Sequence, residues 1–177
     1  GKINKDKGVH LYVEAIKQIF QEHKKWRFTV IGTPMKRTNK EYLKFFNNIQ
    51  NTIELMFDQA NLEMSLSYED VQKRMQEAAI VVIPSIWNEP YGLVVSESMS
   101  NGAAVIASNK GGIPEIIKEN GILINNINAK KLAVSILELI NNPKLLKFYQ
   151  KKSWQNFHHT GEKASITIDK IREKFLI

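Results

Sequence analysis

Two glutamates eight residues apart, Glu89 and Glu97, are the side chains of this sequence best placed for chemistry. Glu89 lies in a turn that contains proline and glycine, and Glu97 lies in the second turn of a helix predicted to begin at Gly92. The start of a helix presents free N–H groups and the positive end of the dipole, which together bind phosphate. A carboxylate one turn further along can accept hydrogen bonds from ribose hydroxyls. The pattern therefore indicates a site for a phosphorylated sugar or nucleotide.

Several common catalytic motifs are absent from the sequence. Gly32 follows a predicted strand but does not begin a Gly-x-Gly-x-x-Gly fingerprint, and there is neither a P-loop nor a Gly-x-Ser-x-Gly elbow. The chain has no cysteine, which excludes disulfides and thiolate metal sites. His158 and His159 are adjacent and have no evident third ligand, so we interpret them as a solvated surface pair rather than a metal site.

The composition is that of a globular domain rather than of a disordered or membrane-spanning chain. The chain has 177 residues, of which 43% are hydrophobic, enough for one domain with a full core. Its longest uncharged apolar runs, such as residues 78–83, are about a third of the length of a spanning helix. Residues 1–6 have no signal-peptide core and no initiator Met, so we expect an excised piece of a cytoplasmic protein, with a location at the inner face of a membrane left open.

The net charge of +7, from 25 basic and 18 acidic residues, raises the possibility of a nucleic-acid partner. The basic residues are spread along the chain and often stand beside acids, as in Lys40-Glu41 and Lys118-Glu119. No RNA-binding strand signature or zinc-finger spacing is present. We therefore rank a solvated surface first, attraction to phosphate or anionic lipid second, and nucleic acid last.

The elements that must position the two glutamates alternate between short apolar strands and amphipathic helices. Strands are predicted, from apolar runs, at residues 28–31, 53–57, 80–83, 104–107 and 121–124. Helices are predicted, from periodicity and caps, over residues 7–22, near 42–49, and over 67–78, 92–100, 114–117 and 132–140, with a last helix near the C-terminus. This order predicts a Rossmann-like α/β fold, a parallel sheet with helices on both faces. Ligands bind such sheets beyond the carboxyl ends of the strands, so the loops after Ile31, Ile83 and Ala107 are the ones of interest.

The segment at residues 84–102 resembles the Glu-x7-Glu motif of retaining glycosyltransferases of family 4, which have the GT-B fold. Further matches occur in the same order along nearly the whole chain. They are Gly1-Lys2-Ile3 with Lys7-Gly8, Pro84-Ser85, Glu89-Pro90-Tyr91-Gly92 with Glu97, residues 101–107, Gly111-Gly112-Ile113-Pro114-Glu115, and Trp154. A Glu-x7-Glu pair alone is a weak signal, whereas this ordered set is specific. Lys2 stands at the family's Arg position and Ala104 replaces a common Pro.

The resemblance implies that the chain is the C-terminal, donor-binding half of a two-domain enzyme. Residues 1–160 would form the nucleotide-sugar-binding domain, and residues 161–177 a helix that crosses to a missing N-terminal acceptor domain. The partners implied are a nucleotide sugar and that missing domain, together with a peripheral membrane contact of the full-length enzyme and self-association of the fragment. Because the acceptor domain is absent, we expect the fragment alone to transfer little or no sugar.

The resemblance also implies a role for each matching residue. Lys2 and Lys7 would hold the diphosphate of the donor, Glu89 would contact its sugar, and Glu97 would bind its ribose. Pro90, Tyr91, Gly92 and Leu93 would contact sugar and phosphate from the loop. Family members retain the anomeric configuration and need no bound metal or cofactor, because cationic side chains and the helix start stabilise the departing diphosphate.

Other interpretations stay open at this point. Glu89 and Glu97 could be ordinary surface residues, and the chain could be a non-catalytic nucleotide-sugar or phosphosugar-binding module, a GT-B epimerase or phosphorylase, or a basic nucleic-acid binder. Residues 33–39 and 60–67 are expected to border the base, but the sequence does not distinguish UDP, GDP or ADP and does not identify the sugar or the acceptor.

Overall fold

The computed structural model describes residues 1–36 and 39–157, and the elements of this part alternate as the sequence predicts. In chain order they are α1 Val9–Ile19, β1 Phe28–Gly32, α2 Lys40–Glu54, a 3-10 turn Phe57–Gln59, β2 Ala60–Met64, α3 Tyr68–Glu77, β3 Ile80–Ile83, α4 Leu93–Ser100, β4 Ala104–Ser108, α5 Ile113–Ile117, β5 Ile122–Ile124, α6 Ala129–Asn141 and α7 Pro143–Gln155. The predicted C-terminal helix at 161–177 and the His158–His159 pair lie outside the described residues.

The strands form two parallel ladders. In the first ladder β1 pairs with β2, and Phe28 stands opposite Ala60. In the second ladder β4 pairs with β3 on one side and with β5 on the other, and Ile80 stands opposite Ala104. Because every pairing is parallel, the carboxyl ends of paired strands lie at the same edge. The parallel arrangement predicted from the alternation of elements is confirmed.

The side chains of β4 alternate between two hydrophobic clusters, which places helices on both faces of this strand. Ala104 and Ile106 belong to a large cluster that also contains buried side chains of α1, α2 and α6. Val105 and Ala107 belong to a smaller cluster with α4 and α5. All five residues of β4 are buried. The period-2 alternation of a strand explains this division, since successive side chains point to opposite faces.

Three details differ from the prediction. The strand predicted at 53–57 is wrong, because Ile53 belongs to α2 and the strand is Ala60–Met64. The buried side chains of Ile49, Ile53 and Met56 are four and three residues apart, which is the spacing of one helical stripe. Short apolar runs do not distinguish strand from helix, and here α2, capped at its start by the Asn39 side chain, extends into the run as far as Glu54.

The other two differences concern β3 and α7. A continuous apolar run such as residues 80–83 is typical of a strand buried on both faces, but β3 is half-buried throughout, since in the described part it pairs with β4 alone. No helix was predicted directly after Pro143, yet this proline opens α7, and the Asn142 side chain caps it by accepting from the Leu145 N–H. Proline suits the first turn of a helix because its missing N–H is not needed there.

Two further predictions concern local structure and membrane spans. Ser67 was predicted to cap the third helix, and its side chain accepts from the N–H of Asp70 at 3.1 Å, which confirms the cap. None of the helices formed by residues 1–36 and 39–157 combines the length and apolar character needed to cross a bilayer.

Candidate functional site

The segment before α1 is fastened to the loop that leaves β3. Gly8 caps α1 in the left-handed conformation, with φ of +66°, and a Cβ added there would lie 1.9 Å from the Pro84 carbonyl oxygen. The Asp6 carbonyl accepts from the N–H groups of Ile86 and Trp87 at 2.7 and 3.1 Å. Only glycine permits this approach of two backbones, and the approach places the residue before it, Lys7, beside the loop that carries Glu89.

The Glu89 carboxylate is held by two donors from different parts of the chain. Lys7 Nζ lies 2.5 Å from Glu89 Oε1, and Ser85 Oγ donates to the same oxygen at 2.8 Å. The Glu89 side chain is 14% exposed and the Lys7 side chain is 39% exposed, so the pair is partly withdrawn from water. A partly buried carboxylate needs such compensation. Among the described residues, neither of these donors nor any other reaches Oε2, which leaves that oxygen able to accept from a ligand.

The loop after β4 supports Glu89 from behind through Gly111 and Gly112. Gly111 has φ of +55°, and a Cβ there would lie 2.2 Å from the carbonyl oxygen of Glu89. The N–H of Gly112 donates to that same carbonyl at 2.7 Å, and a Cβ on Gly112 would lie 2.6 Å from the Pro90 oxygen. The glycine pair therefore allows close packing of the two loops that follow β3 and β4.

The first turn of α4 is open toward this site. Gly92, with φ of +86°, occupies the cap position and supplies no side-chain cap. The hydrogen bonds to the Gly92 carbonyl come from Val95 and Ser96, and within residues 1–36 and 39–157 no acceptor meets the N–H groups of Leu93 and Val94. These two N–H groups and the positive end of the α4 dipole are therefore available to an anion.

Glu97 lies in the second turn of α4, as predicted, and is half-buried. Its carboxylate and the Lys7 ammonium both act on one atom, the α-amino nitrogen of Gly1. Burial and the charge of Lys7 lower the pKa of this amine, and the charge of Glu97 raises it. Lys7 and Glu97 are thus both close enough to Gly1 to influence the pKa of its amine.

The remaining predicted site residues make fewer contacts with the Lys7–Glu89 pair. The backbone around Lys2 forms a parallel bridge with Thr33, the residue after β1, because the Ile3 N–H donates to the Thr33 carbonyl and the Thr33 N–H donates to the Gly1 carbonyl. The Lys2 side chain is exposed, and in the described part no ion pair or hydrogen bond links it to Glu89. Pro90, Tyr91 and Leu93 are exposed, and their loop is held through the glycine contacts described above.

Three contributors to the site could not be assigned from the sequence. Ser85, which is 1% exposed, and Gly111-Gly112 were recognised only as parts of the family resemblance, without a role. The Asp6 carbonyl was not recognised at all. The role of Ser85 could have been inferred from its position four residues before Glu89 within a turn. The backbone contacts between distant loops could not, because they do not depend on a particular residue type.

A cleft of about 620 Å³ lies at the other end of the first ladder and is not lined by Lys7, Glu89 or Glu97. Arg27 and Gln59, which line it, directly precede β1 and β2, so the cleft is at the amino ends of these strands. The candidate site instead lies at the carboxyl ends, on an open edge. Among the described residues, no three His, Asp or Glu side chains converge where they could hold a metal ion.

Comparisons with known proteins agree with this architecture. Residues 1–155 match the family described as Glycosyl transferases group 1. Spore coat protein SA of Bacillus subtilis is 27% identical over 89% of the chain and 43% of that protein. An uncharacterized glycosyltransferase of Methanocaldococcus jannaschii is 33% identical over 84% of the chain and 41% of that protein. The chain thus spans about two fifths of the length of these curated relatives.

Solved structures show the same fold. The C-terminal domain of a group 1 family glycosyl transferase (LpcC) from Francisella tularensis superposes with a TM-score of 0.76 at 25% identity, covering 88% of this chain and 80% of that one. Anabaena HepE, solved in complex with UDP, gives a TM-score of 0.76 at 19% identity and covers 97% of this chain and 47% of that one. The predicted fold, that of the C-terminal half of a GT-B protein, is confirmed.

Proposed function

This chain belongs to the glycosyl transferases group 1 family, and on that premise we propose that it is the donor-binding domain of a retaining glycosyltransferase of family 4. The whole enzyme would move a sugar from a nucleotide diphosphate sugar to an acceptor. The observation that supports this best is the contact between Lys7 and Glu89, 82 residues apart, beside a helix start with two free N–H groups. A cation, an anion and an anion-binding helix end together match the charges of a diphosphate-linked sugar.

The diphosphate would be bound by Lys7 and by the N–H groups of Leu93 and Val94. When the bond from the anomeric carbon to the diphosphate oxygen breaks, its electrons remain on that oxygen and negative charge grows there. The ammonium and the helix end are in place before this happens, so the charge is stabilised without reorganisation. In other enzymes, loss of one such group reduces transition-state stabilisation by about 3–4 kcal/mol. Lys2, whose side chain is exposed, would reach the diphosphate only when the donor is bound.

The two glutamates would each bind one sugar of the donor, the transferred sugar or the ribose. Glu89 Oε1 is occupied by Lys7 and Ser85, so Oε2 is the oxygen that accepts from a hydroxyl of the transferred sugar. Glu97, one turn inside α4, would accept from the ribose hydroxyls. Pro90 and Tyr91 would border the transferred sugar from the exposed side of the loop.

The Salmonella typhimurium relative named Lipopolysaccharide 1,2-N-acetylglucosaminetransferase is 26% identical over 88% of this chain and 44% of that protein. Its name supports transfer of a sugar as the reaction. HepE, whose structures hold UDP and, in one case, glucose, supports a nucleotide sugar as the ligand. The acceptor would bind the other half of the enzyme, so this chain alone binds donor and transfers little or no sugar.

A thermal-shift and calorimetric panel of UDP-, GDP- and ADP-sugars tests this proposal. We expect one nucleotide class to stabilise the chain, and we expect Glu97→Gln to abolish that stabilisation. Glu138→Gln, which changes an exposed glutamate on α6, is the matched control and should bind like the wild type. Absence of binding by every donor, or equal binding by Glu97→Gln, would contradict the proposal. Binding without turnover in the full-length protein would favour the non-catalytic binding module instead.

A further inference from the structure

The solvent-facing side of α7 carries lysines and aromatic side chains and no acid. Helix Pro143–Gln155 contains four lysines and neither Asp nor Glu. Five of its seven exposed residues lie along one side, each three or four residues from another member, and we call them the α7 face: Lys144, Lys147, Phe148, Lys151 and Trp154. Trp154 is 66% exposed and Phe148 is 49% exposed. Single exposed aromatic residues are common, but two on the same side of one helix, together with lysines, form a patch that can bind a partner.

The opposite side of α7 is anchored to the domain, so the α7 face is displayed on a fixed helix. Ser153 is fully buried and its hydroxyl donates to the Asn120 carbonyl at 3.3 Å. The Gln150 amide donates to the Ala79 carbonyl at 3.2 Å. Leu146 and Tyr149 pack against the large hydrophobic cluster. The orientation of the helix is therefore set by contacts that do not involve the α7 face.

The charge of the α7 face is largely uncompensated. The fourth lysine, Lys152, lies 3.5 Å from Glu119 and 5.3 Å from the centre of the Phe148 ring. By contrast, no carboxylate of the described residues lies within ion-pair distance of Lys144, Lys147 or Lys151. Three ammonium groups that have no carboxylate partner within residues 1–36 and 39–157 thus share one side of α7 with two exposed aromatic rings.

We propose that the α7 face docks this protein on an anionic lipid surface. Lysines near such a surface are attracted by its negative potential, and tryptophan prefers the boundary between headgroups and hydrocarbon. A helix with a basic polar side and exposed aromatics lies in the plane of that boundary. A single-stranded nucleic acid would also meet positive charge and aromatic rings, but it is usually bound in a groove that tracks its backbone, and α7 presents a convex side.

This surface is separate from the candidate donor site. Ala79 and Asn120, to which α7 is anchored, lie just before β3 and β5, at the amino ends of these strands. The Lys7–Glu89 pair lies at the carboxyl ends. Membrane docking and donor binding can therefore be measured independently, and the inference does not depend on the proposed function.

Co-sedimentation with vesicles tests the proposal. The full chain should bind vesicles of phosphatidylcholine containing one quarter phosphatidylserine, bind pure phosphatidylcholine much less, and lose binding as salt rises from about 0.1 to 0.5 M. Lys147→Glu/Lys151→Glu should partition at least about thirtyfold more weakly. The control Lys44→Glu/Lys130→Glu changes the net charge equally, at exposed positions of α2 and α6, and its vesicle binding should fall much less.

Tryptophan fluorescence provides a second readout that does not depend on charge. Trp154→Phe should remove the blue shift that vesicles induce, although Trp26 and Trp87 remain. Thermal melting near the wild-type temperature would show that each variant is folded. The proposal is overturned if the α7 variants sediment like the control, if neutral vesicles bind equally well, or if random oligonucleotides bind through α7 while vesicles do not.

Discussion

Lys7 and Glu89, which come from the segment before α1 and the loop after β3, form a partly buried ion pair through a single carboxylate oxygen. The same oxygen accepts from Ser85, whose hydroxyl is buried. This arrangement fixes the carboxylate through Oε1, and among the described residues no donor reaches Oε2. The pair thus joins two loops and is at the same time the part of the site most easily tested by substitution.

Lys7→Ala removes the cation that we assign to the diphosphate. A hydrogen bond to a charged group contributes roughly 1.5–3 kcal/mol, so we expect the Kd of the nucleotide sugar to rise roughly ten- to hundredfold. Titration calorimetry would measure this change. Lys130→Ala, at an exposed position of α6, serves as the control. If both variants bind donor as the wild type does, Lys7 has no role in binding.

Ser85→Ala removes one of the two donors that position Glu89. Loss of the hydrogen bond at a buried position should lower the free energy of unfolding by about 1–2 kcal/mol and should also weaken donor binding. Ser67→Ala, which removes the cap of α3, should cost about 1 kcal/mol and leave binding unchanged. Chemical denaturation and calorimetry on both variants separate stability from positioning. Equal donor affinity in the two variants would contradict the assignment of Ser85 as a positioning residue.

Gly111→Ala tests whether the loop after β4 supports Glu89. Both Gly111 and Gly102 have a positive φ, but a Cβ on Gly111 would lie 2.2 Å from the Glu89 carbonyl oxygen, whereas a Cβ on Gly102 would have nothing within 4 Å. Gly102→Ala therefore measures backbone strain alone, about 1 kcal/mol. We expect Gly111→Ala to lose more stability than this and to lose donor binding. Equal losses of stability would show that the loops separate without cost.

The stability of the domain should fall as the pH drops below neutral, in part because of His10. Burial, and to a smaller extent the charge of Lys5, lower the pKa of His10, whose Nδ1 is buried without a partner in the described residues. The unfolded chain therefore binds more protons as the pH falls through about 6.5, the ordinary value for histidine, and the free energy of unfolding decreases. Between pH 7.5 and 5.5, the free energy of unfolding of His10→Gln should depend less on pH than that of the wild type. In the control His23→Gln it should depend more strongly on pH than in His10→Gln. Parallel curves for wild type and His10→Gln would rule out this source.

Donor binding should not require a divalent metal. In the proposed site the positive charge at the diphosphate would come from Lys7 and the start of α4, so we expect the Kd to be the same, within about twofold, in EDTA and in excess Mg²⁺. Calorimetry after chelation and dialysis measures this. A Kd that rises at least tenfold in EDTA and recovers with Mg²⁺ would show that a metal shares the role of Lys7.

The sequence was most informative where residue types fix backbone geometry. Gly92 predicted the start of α4, Ser67 the start of α3, and the run 80–83 a parallel strand, because each has a local physical cause. It failed at 53–57, where a helix ends within the apolar run, and at α7, a helix that opens on Pro143 and was not predicted. The contacts of Asp6 and Gly111 were beyond reach, since they depend on which backbones meet in space.

Strand β4 is shared by the two hydrophobic clusters, with Ala104 and Ile106 in one and Val105 and Ala107 in the other. Neither cluster can open without exposing one side of this strand. The described part of the chain should therefore melt as one cooperative unit, and the amides of β4 should exchange with deuterium only through global unfolding. One loop of the candidate donor site leaves β4 itself and another leaves its paired neighbour β3, which gives a site built from short loops a rigid foundation.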